Sequence, residues 1–353
     1  MEPGQLLFAW AGTIGVSFGP TIWSGPKGVL NQHIYKLNLL NNINRYWFFQ
    51  ALIRATQRIE RQAHGFKKTL VHVKKSDITD QIVPLPPEQE QQKIAAILST
   101  WDEAIDKLEK LIAAKRQRKK GLMQRLLMGK HLLPPETEDG EYHFMRNPIG
   151  ALAPGWRAAP LSELFVRVQR PNDSIPKPVL TISAKSGFLH QEAKFSKVIA
   201  GRNIEQYTLL KQGEFAYNKG NSYTYPQGCI YRLEGHDQAA VPNVYFCFRA
   251  TEKIDPVFFE SYFEAGLINR QLQRVINTGV RNNGLLNLSA KDFFSAKAHL
   301  PPLDQQREIG ALFREMSAEI RLLEDQLKAI QTQKRGLMQK LLTGQWRVAV
   351  EAC

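Results

Sequence analysis

Three cysteines in 353 residues, Cys229, Cys247 and Cys353, with no C-x-x-C pair among them, are too few for a disulfide framework and wrongly spaced for structural zinc. They read as buried or inert thiols. No apolar run approaches the ~20 residues that span a bilayer, and residues 1–20 lack the basic-then-apolar layout of a secretion signal, so a soluble, cytoplasmic chain without membrane contact is expected. Also missing are a GxxxxGK[ST] phosphate loop, an HExxH metal pair and an Asn/Asp-Pro-Pro-Tyr/Phe element for amino methylation; the stretch from Asn147 to Gly150 is a poor imitation of the last. The best nuclease-like set, Asp173 with Glu192 and Lys194, is a short match of a kind that arises often by chance. The expected chain is noncatalytic, with no metal and no cofactor.

Acidic residues are also in deficit: 33 Asp and Glu face 47 Lys and Arg, a formal charge of +14. That balance suits a polyanionic partner, although charge alone does not choose among DNA, RNA and an anionic membrane surface. The length and a hydrophobic content of 43% exceed what one core usually serves, so two domains with connecting elements are expected.

What the sequence does contain is a long internal repeat. Residues 85–129 align without a gap on residues 300–344 at a constant offset of 215, with 18 of 45 positions identical. Each copy opens with Leu-Pro-Pro, where proline suits an extended entry or a first helical turn. Apolar residues then recur in a 4-3 heptad stripe: Ile94, Leu98, Trp101, Ile105, Leu108, Ile112, Leu122 and Leu126 in the first copy, and Ile309, Phe313, Met316, Ile320, Leu323, Leu327, Ile330, Leu337 and Leu341 in the second. Gly129 and Gly344 stand where helix caps belong, while Gly121 and Gly336 mark a possible break. A helix with one apolar stripe must bury it, and two equivalent helices in one chain most simply bury theirs against each other as an antiparallel pair. An ordinary helical bundle is the competing reading of the same periodicity.

Residues 134–153 are rich in proline and acidic residues and read as a connector. In the mixed region that follows, strands are predicted over residues 179–183, 215–218, 229–233 and 244–249, and a helix over 256–276. The N-terminal 84 residues repeat the second half of this region. The run from Gly4 to Phe8 answers that from Gly213 to Tyr217, residues 31–37 answer 242–248, and a helix over 44–63 answers 256–276. The organisation read from this is a partial domain at 1–84, a helix at 85–133, a connector at 134–153, a complete domain at 154–299 and a second helix at 300–348. By the regularity of the repeat, the first domain is expected to lack its front, to leave the strand near residues 4–9 short of partners, and to be the less stable of the two.

A globular domain followed by a helix that opens with L-P-P-x-x-x-Q and closes with G-L-M-Q-[KR]-L-L-x-G, and then both again, resembles the specificity subunit of type I restriction-modification systems. The resemblance covers essentially the whole chain. It implies an α+β fold, with two similar mixed α/β target-recognition domains, the first incomplete, separated by two long helices forming an antiparallel coiled coil. It further implies a subunit that reads a bipartite site on double-stranded DNA, sets the gap between half-sites with its helices, and docks two methyltransferase subunits together with restriction/translocase subunits. A spacer that acts as a ruler predicts that inserting four residues near Ala113 or Ala329 changes the gap and not the bases read. The alternatives are a noncatalytic coiled-coil adaptor for proteins, and a silent truncated specificity cassette.

Two loops carry the candidate DNA contacts, because base edges are read by amide and guanidinium groups and phosphates by cations. One holds Asn218, Lys219, Asn221, Ser222 and Tyr223, for which purely local Asn-Gly turn chemistry is the equal alternative. The other holds Arg281, Asn282 and Asn283, whose alternative is a helix-ending turn; Lys67 and Lys68 lie at the corresponding place in the first domain. The basic run from Lys115 to Lys120 suits nonspecific phosphate attraction but reads better as a solvated helix face. Leu122, Met123, Leu126, Leu337, Met338 and Leu341 are, by the resemblance, candidates for docking methyltransferase helices, with packing of the helix pair as the alternative.

Overall fold

The computed structural model describes residues 1–62, 70–129, 145–147, 150–172, 178–183, 186–194, 204–220, 225–276 and 285–349. It divides into two compact units: unit 1 comprises Met1–Ala113 with Arg321–Cys353, and unit 2 comprises Ala114–Ile320. The fold is mixed helix and sheet. Its two longest elements are the repeated helices, Glu88–Leu126 of 39 residues and Leu303–Leu342 of 40 residues.

Both run unbroken through Gly121 and Gly336 and stop just before Gly129 and Gly344, whose φ values of 65° and 72° are the left-handed geometry that ends a helix. The heptad stripe is turned inward along its length. None of its residues is exposed, whereas Leu111 and Leu322, off the stripe, are 43% and 71% exposed. In unit 1, Ile94, Ala95 and Leu98 from the start of the first helix pack with Met338, Leu341 and Leu342 from the end of the second, and Lys334 donates to Asp102 at 2.5 Å. In unit 2, Met123, Leu126 and Leu127 from the end of the first meet Ile309 and Phe313 near the start of the second, and Lys115 donates to Glu319 at 2.6 Å. The pairing is antiparallel in each unit.

Unit 2 carries a four-stranded antiparallel sheet in the order Cys229–Arg232, Phe215–Asn218, Phe246–Ala250, Phe165–Val168. Phe165, Phe215, Phe248, Phe259, Phe263 and Phe293 interlock on one face of it, mostly edge to face. The single helix expected over 256–276 is two, Pro256–Glu264 and Asn269–Val275. Gly266, at φ 67°, breaks it by taking a conformation that an L side chain resists.

Unit 1 repeats three of the four strands in the same order: Gly19–Ile22, Leu6–Ala9, Ile34–Lys36. The strand expected to be short of partners is therefore the central one, paired on both sides, with Leu6, Leu7 and Phe8 buried. The helix Arg45–Gln62 packs on this sheet and contributes Trp47, Ala51 and Ile59 to the unit's buried residues.

One buried glutamine explains why each repeat opens as it does. Gln91 Oε1 accepts from Asn44 N at 2.9 Å, and its Nε2 donates to Pro86 O at 2.9 Å. Its repeat counterpart Gln306 accepts from Asp255 N at 2.9 Å and donates to Pro301 O at 2.8 Å. Asn44 and Asp255 are themselves the residues whose side chains cap the domain helices, accepting from Trp47 N and Phe258 N. The glutamine of L-P-P-x-x-x-Q thus ties the entry of each long helix to the start of its domain helix.

Unit 1 adds an ion pair of its own. Arg347 donates to both carboxylate oxygens of the buried Glu90 at 2.7 Å, and these hydrogen bonds hold the carboxyl below its ordinary value. A carboxylate depressed in the folded state stabilises above its unfolded value, and the contribution is lost as pH falls through the folded one. Amide protection around residues 88–95 should therefore fall on acidification from about pH 5 to 3, and the pH-dependent part should be absent in Glu90→Gln; identical profiles for the two chains would refute the assignment.

Candidate nucleic-acid interface

The sheet of unit 2 positions the first candidate loop. Strand Phe215–Asn218 delivers Asn218 and Lys219 at its end, and the return strand starts at Cys229 opposite Asn218. Closure depends on Gly228, at φ 76°, where an added Cβ would come within 2.5 Å of Asn218 O and 2.7 Å of the Tyr217 ring. The Tyr217 hydroxyl donates to Gln227 O at 2.7 Å and pins the same turn from inside. Asn218 Oδ1 accepts from Gly220 N at 2.9 Å, so the local turn chemistry weighed for this residue is present. Asn221, Ser222 and Tyr223 lie outside the described residues.

Lys219 does two things at this edge. Its Nζ stands 4.7 Å from the centre of the Phe246 ring, and its carbonyl accepts from Leu286 N at 2.9 Å. An antiparallel bridge joins the next residue, Gly220, to Leu285. Leu285 directly follows the segment holding Arg281, Asn282 and Asn283, which are themselves outside the described residues. Two loops some sixty positions apart in the chain are thereby rooted at one point of the domain. Arg167, on the neighbouring strand, places its guanidinium carbon 6.0 Å from the same Phe246 ring. Sequence reasoning missed it: Arg167 lies exposed between buried Phe165 and Val168, and only the pairing of its strand with Phe246–Ala250 brings it to that ring.

Unit 1 repeats this root. Strand Ala11–Thr13, just after the central strand, pairs antiparallel with Leu70–His72, directly after the segment holding Lys67 and Lys68. Those two lysines also lie outside the described residues. The loop after Thr13 is a tight turn in which Thr13 O accepts from the backbone N–H groups of Val16, Ser17 and Phe18, leaving Val16 83% exposed at the tip.

Four of the six residues considered for docking are buried within their own unit. Met123 and Leu126 belong to the core of unit 2 with Trp156, Ile309 and Phe313, and Met338 and Leu341 to a core of unit 1 with Trp47 and Leu98; Leu122 and Leu337 pack half-buried against them. The packing alternative accounts for most of their apolar surface. Cys229 and Cys247 are buried, as read, and burial pushes the Cys247 thiol up to about 12; Cys353 lies outside the described residues. Among the described residues no cluster of His, Cys, Asp and Glu is arranged to hold a metal, and no helix is long and apolar enough to cross a membrane.

Residues 3–115 match the family model described as the type I restriction modification DNA specificity domain. The chain is 24% identical over 365 residues to the type I restriction enzyme MjaVIII specificity subunit of Methanocaldococcus jannaschii, an alignment covering 99% of this chain and 80% of that one. The chain is thus similar over nearly its whole length to a type I specificity subunit. Its fold is that of solved type I S subunits. The S subunit of the type I system from M. genitalium aligns with a TM-score of 0.55 at 16% identity, over 97% of this chain and 83% of that one. A chain from a structure on complex assembly and conformational transition of the type I R-M system gives 0.53 at 14%, over 97% and 82%.

Proposed function

We propose that this chain is a noncatalytic specificity subunit of a type I restriction-modification system and reads double-stranded DNA in the cytoplasm through two equivalent surfaces, one per unit, each built from a pair of loops rooted side by side. The observation that carries this reading is the repeated root: Gly220 bridged to Leu285 in unit 2, and Ala11–Thr13 paired with Leu70–His72 in unit 1. A jointly rooted loop pair can place amide and guanidinium groups against base edges while Lys219, Arg167, Lys67 and Lys68 meet phosphates. Two such surfaces in one chain suit a bipartite site, and the domains that bear them are those at residues 1–84 and 154–299. Docking of two methyltransferase subunits, and of restriction/translocase subunits beyond them, falls to the outer faces of the long helices. Leu111 and Leu322 are exposed there, and Leu122 and Leu337 are only half covered.

The test is co-expression with the methyltransferase subunit of the same system, purification of the complex, and base-resolution mapping of N6-methyladenine. Methylation confined to a bipartite sequence is the expected result; assembly with sequence-indifferent methylation would refute the reading. In the same complex, Lys219→Ala is expected to weaken all sites alike and to reduce the slope of log K against log salt by roughly one. Arg281→Ala is expected to relax one base position of one half-site, at a cost of about 1–3 kcal/mol. Swapped behaviour of the two variants would reverse the roles assigned to them.

A further inference from the structure

The two units share the frame of their loop roots but not its chemistry. The run from Gly4 to Phe8 answers that from Gly213 to Tyr217, and residues 31–37 answer 242–248, so Trp10 stands at the place of Lys219 and Tyr35 at that of Phe246. The backbone is the same at both: Trp10 O accepts from Val73 N at 3.1 Å as Lys219 O does from Leu286 N at 2.9 Å. The side chains differ. Unit 2 sets Lys219 and Arg167 against the Phe246 ring. Unit 1 instead stacks the Trp10 indole on Tyr35, with ring centres 6.1 Å and planes 25° apart, and places His33 and His72 against the indole at 4.9 and 4.6 Å.

The turn that rises from this root, residues 14–17, is closed from several directions. Thr13 O accepts from Val16 N, Ser17 N and Phe18 N at 3.0, 2.9 and 3.1 Å, and Thr13 N donates to Ser17 Oγ at 2.9 Å. Gly15, at φ 72°, takes the left-handed conformation that the reversal needs. An added Cβ on Gly12 would come within 2.6 Å of Ser17 Oγ, so the two arms touch. Phe18 anchors the return arm, 9% exposed and edge-on to Phe8 at 6.0 Å. These contacts leave Ile14 36% and Val16 83% exposed. A lone exposed aliphatic residue is ordinary on a protein surface. A β-branched one, with few χ1 choices, at the tip of a turn held in this way is a rigid projection.

The side chains of this tip offer no hydrogen bond to a base. Between Thr13 and Ser17 stand only Ile14, Gly15 and Val16, and the Ser17 hydroxyl is held by Thr13 N. The base-edge feature that an aliphatic side chain recognises is the 5-methyl group of thymine, which lies in the major groove. The second loop at the same root is the segment holding Lys67 and Lys68, whose charges suit the phosphates beside such a base. We infer that Val16 is a specificity-determining contact of unit 1 and reads the methyl group of one thymine in its half-site. The inference rests on the reading of unit 1's loops as a DNA surface and adds the chemistry which that surface recognises.

The test uses the full chain in complex with its methyltransferase subunit, and duplexes carrying the mapped site in which each thymine in turn is replaced by deoxyuridine. Fluorescence anisotropy should show binding weakened about fourfold at one position of one half-site, the worth of one buried methylene. Val16→Ser, at an exposed position, should bind the unmodified site about fourfold more weakly and bind thymine and deoxyuridine equally at that position. Unchanged amide protection over Ala11–Thr13 and Leu70–His72 shows that the variant's turn root is intact. Lys219→Ala should keep the discrimination, since that lysine belongs to unit 2. If no thymine methyl matters, or if the discrimination survives Val16→Ser, the inference is overturned while sequence-specific binding stands. Sequence-indifferent binding by the unaltered chain would instead refute the DNA reading, and the inference with it.

Discussion

Replacing Gln306 by leucine is expected to destabilise unit 2 by about 2–5 kcal/mol, and Gln91→Leu to do the same to unit 1. Leucine matches glutamine in bulk and keeps the helix, so the loss is polar. The Asp255 N–H and the Pro301 carbonyl lose their partner beside a residue that is 1% exposed, and each orphaned group costs about 1–3 kcal/mol. Asn44 N and Pro86 O stand in the same relation to Gln91, which is 2% exposed. Glutamate is a harsher change than leucine at neutral pH, because its second oxygen faces the Pro301 carbonyl and the charge is buried. With two units in one chain, a single melting curve is not a two-state measurement. Amide exchange in the domain helices, Pro256–Glu264 for Gln306 and Arg45–Gln62 for Gln91, reads each effect in its own unit. A change below about 0.5 kcal/mol in either would show that the tie bears no load.

These glutamines mark where sequence reading stopped. The repeat and the heptad stripe were legible because they are periodic, and periodicity survives without knowledge of tertiary partners. The role of Gln91 and Gln306 was not, because their partners Asn44 and Asp255 lie about fifty positions away and nothing local distinguishes a tying glutamine from a solvated one. The break at Gly266 was hidden by aromatic spacing that suits one continuous helix. For the candidate interface, Asn218, Lys219, Arg281 and Asn283 were chosen for residue type; that their loops share a root follows from the Gly220 bridge to Leu285, a long-range pairing with no sequence signature. Arg167 was missed for the same reason. Met123, Leu126, Met338 and Leu341 drew attention as apolar residues in a repeated motif, and apolar residues on a helix are more often claimed by their own core than left for a partner.

The spacer role predicts the effect that mapping would see most directly. Because the helices pair antiparallel, with Asp102 against Lys334 in unit 1 and Lys115 against Glu319 in unit 2, a matched insertion of one heptad after Ala113 and another after Ile320 preserves both sets of contacts and the apolar stripe. Seven residues add about 10.5 Å to each helix, close to three base-pair steps of about 3.4 Å. On the proposed function, the methylated site should keep both half-site sequences while its gap grows by about three base pairs. The match is imperfect in rotation. A heptad turns a left-handed pair by roughly 25° for a pitch of about 150 Å, whereas three base pairs turn B-DNA by about 100°. The lengthened chain must therefore twist its DNA or its own helices, and slower methylation than wild type is expected alongside the longer gap. A single unpaired four-residue insertion lacks this compensation and should cost assembly first, since it puts one helix out of register with the other. Methylation at the original gap by the matched-insertion chain would mean that the helices join the two units without measuring the distance between the half-sites.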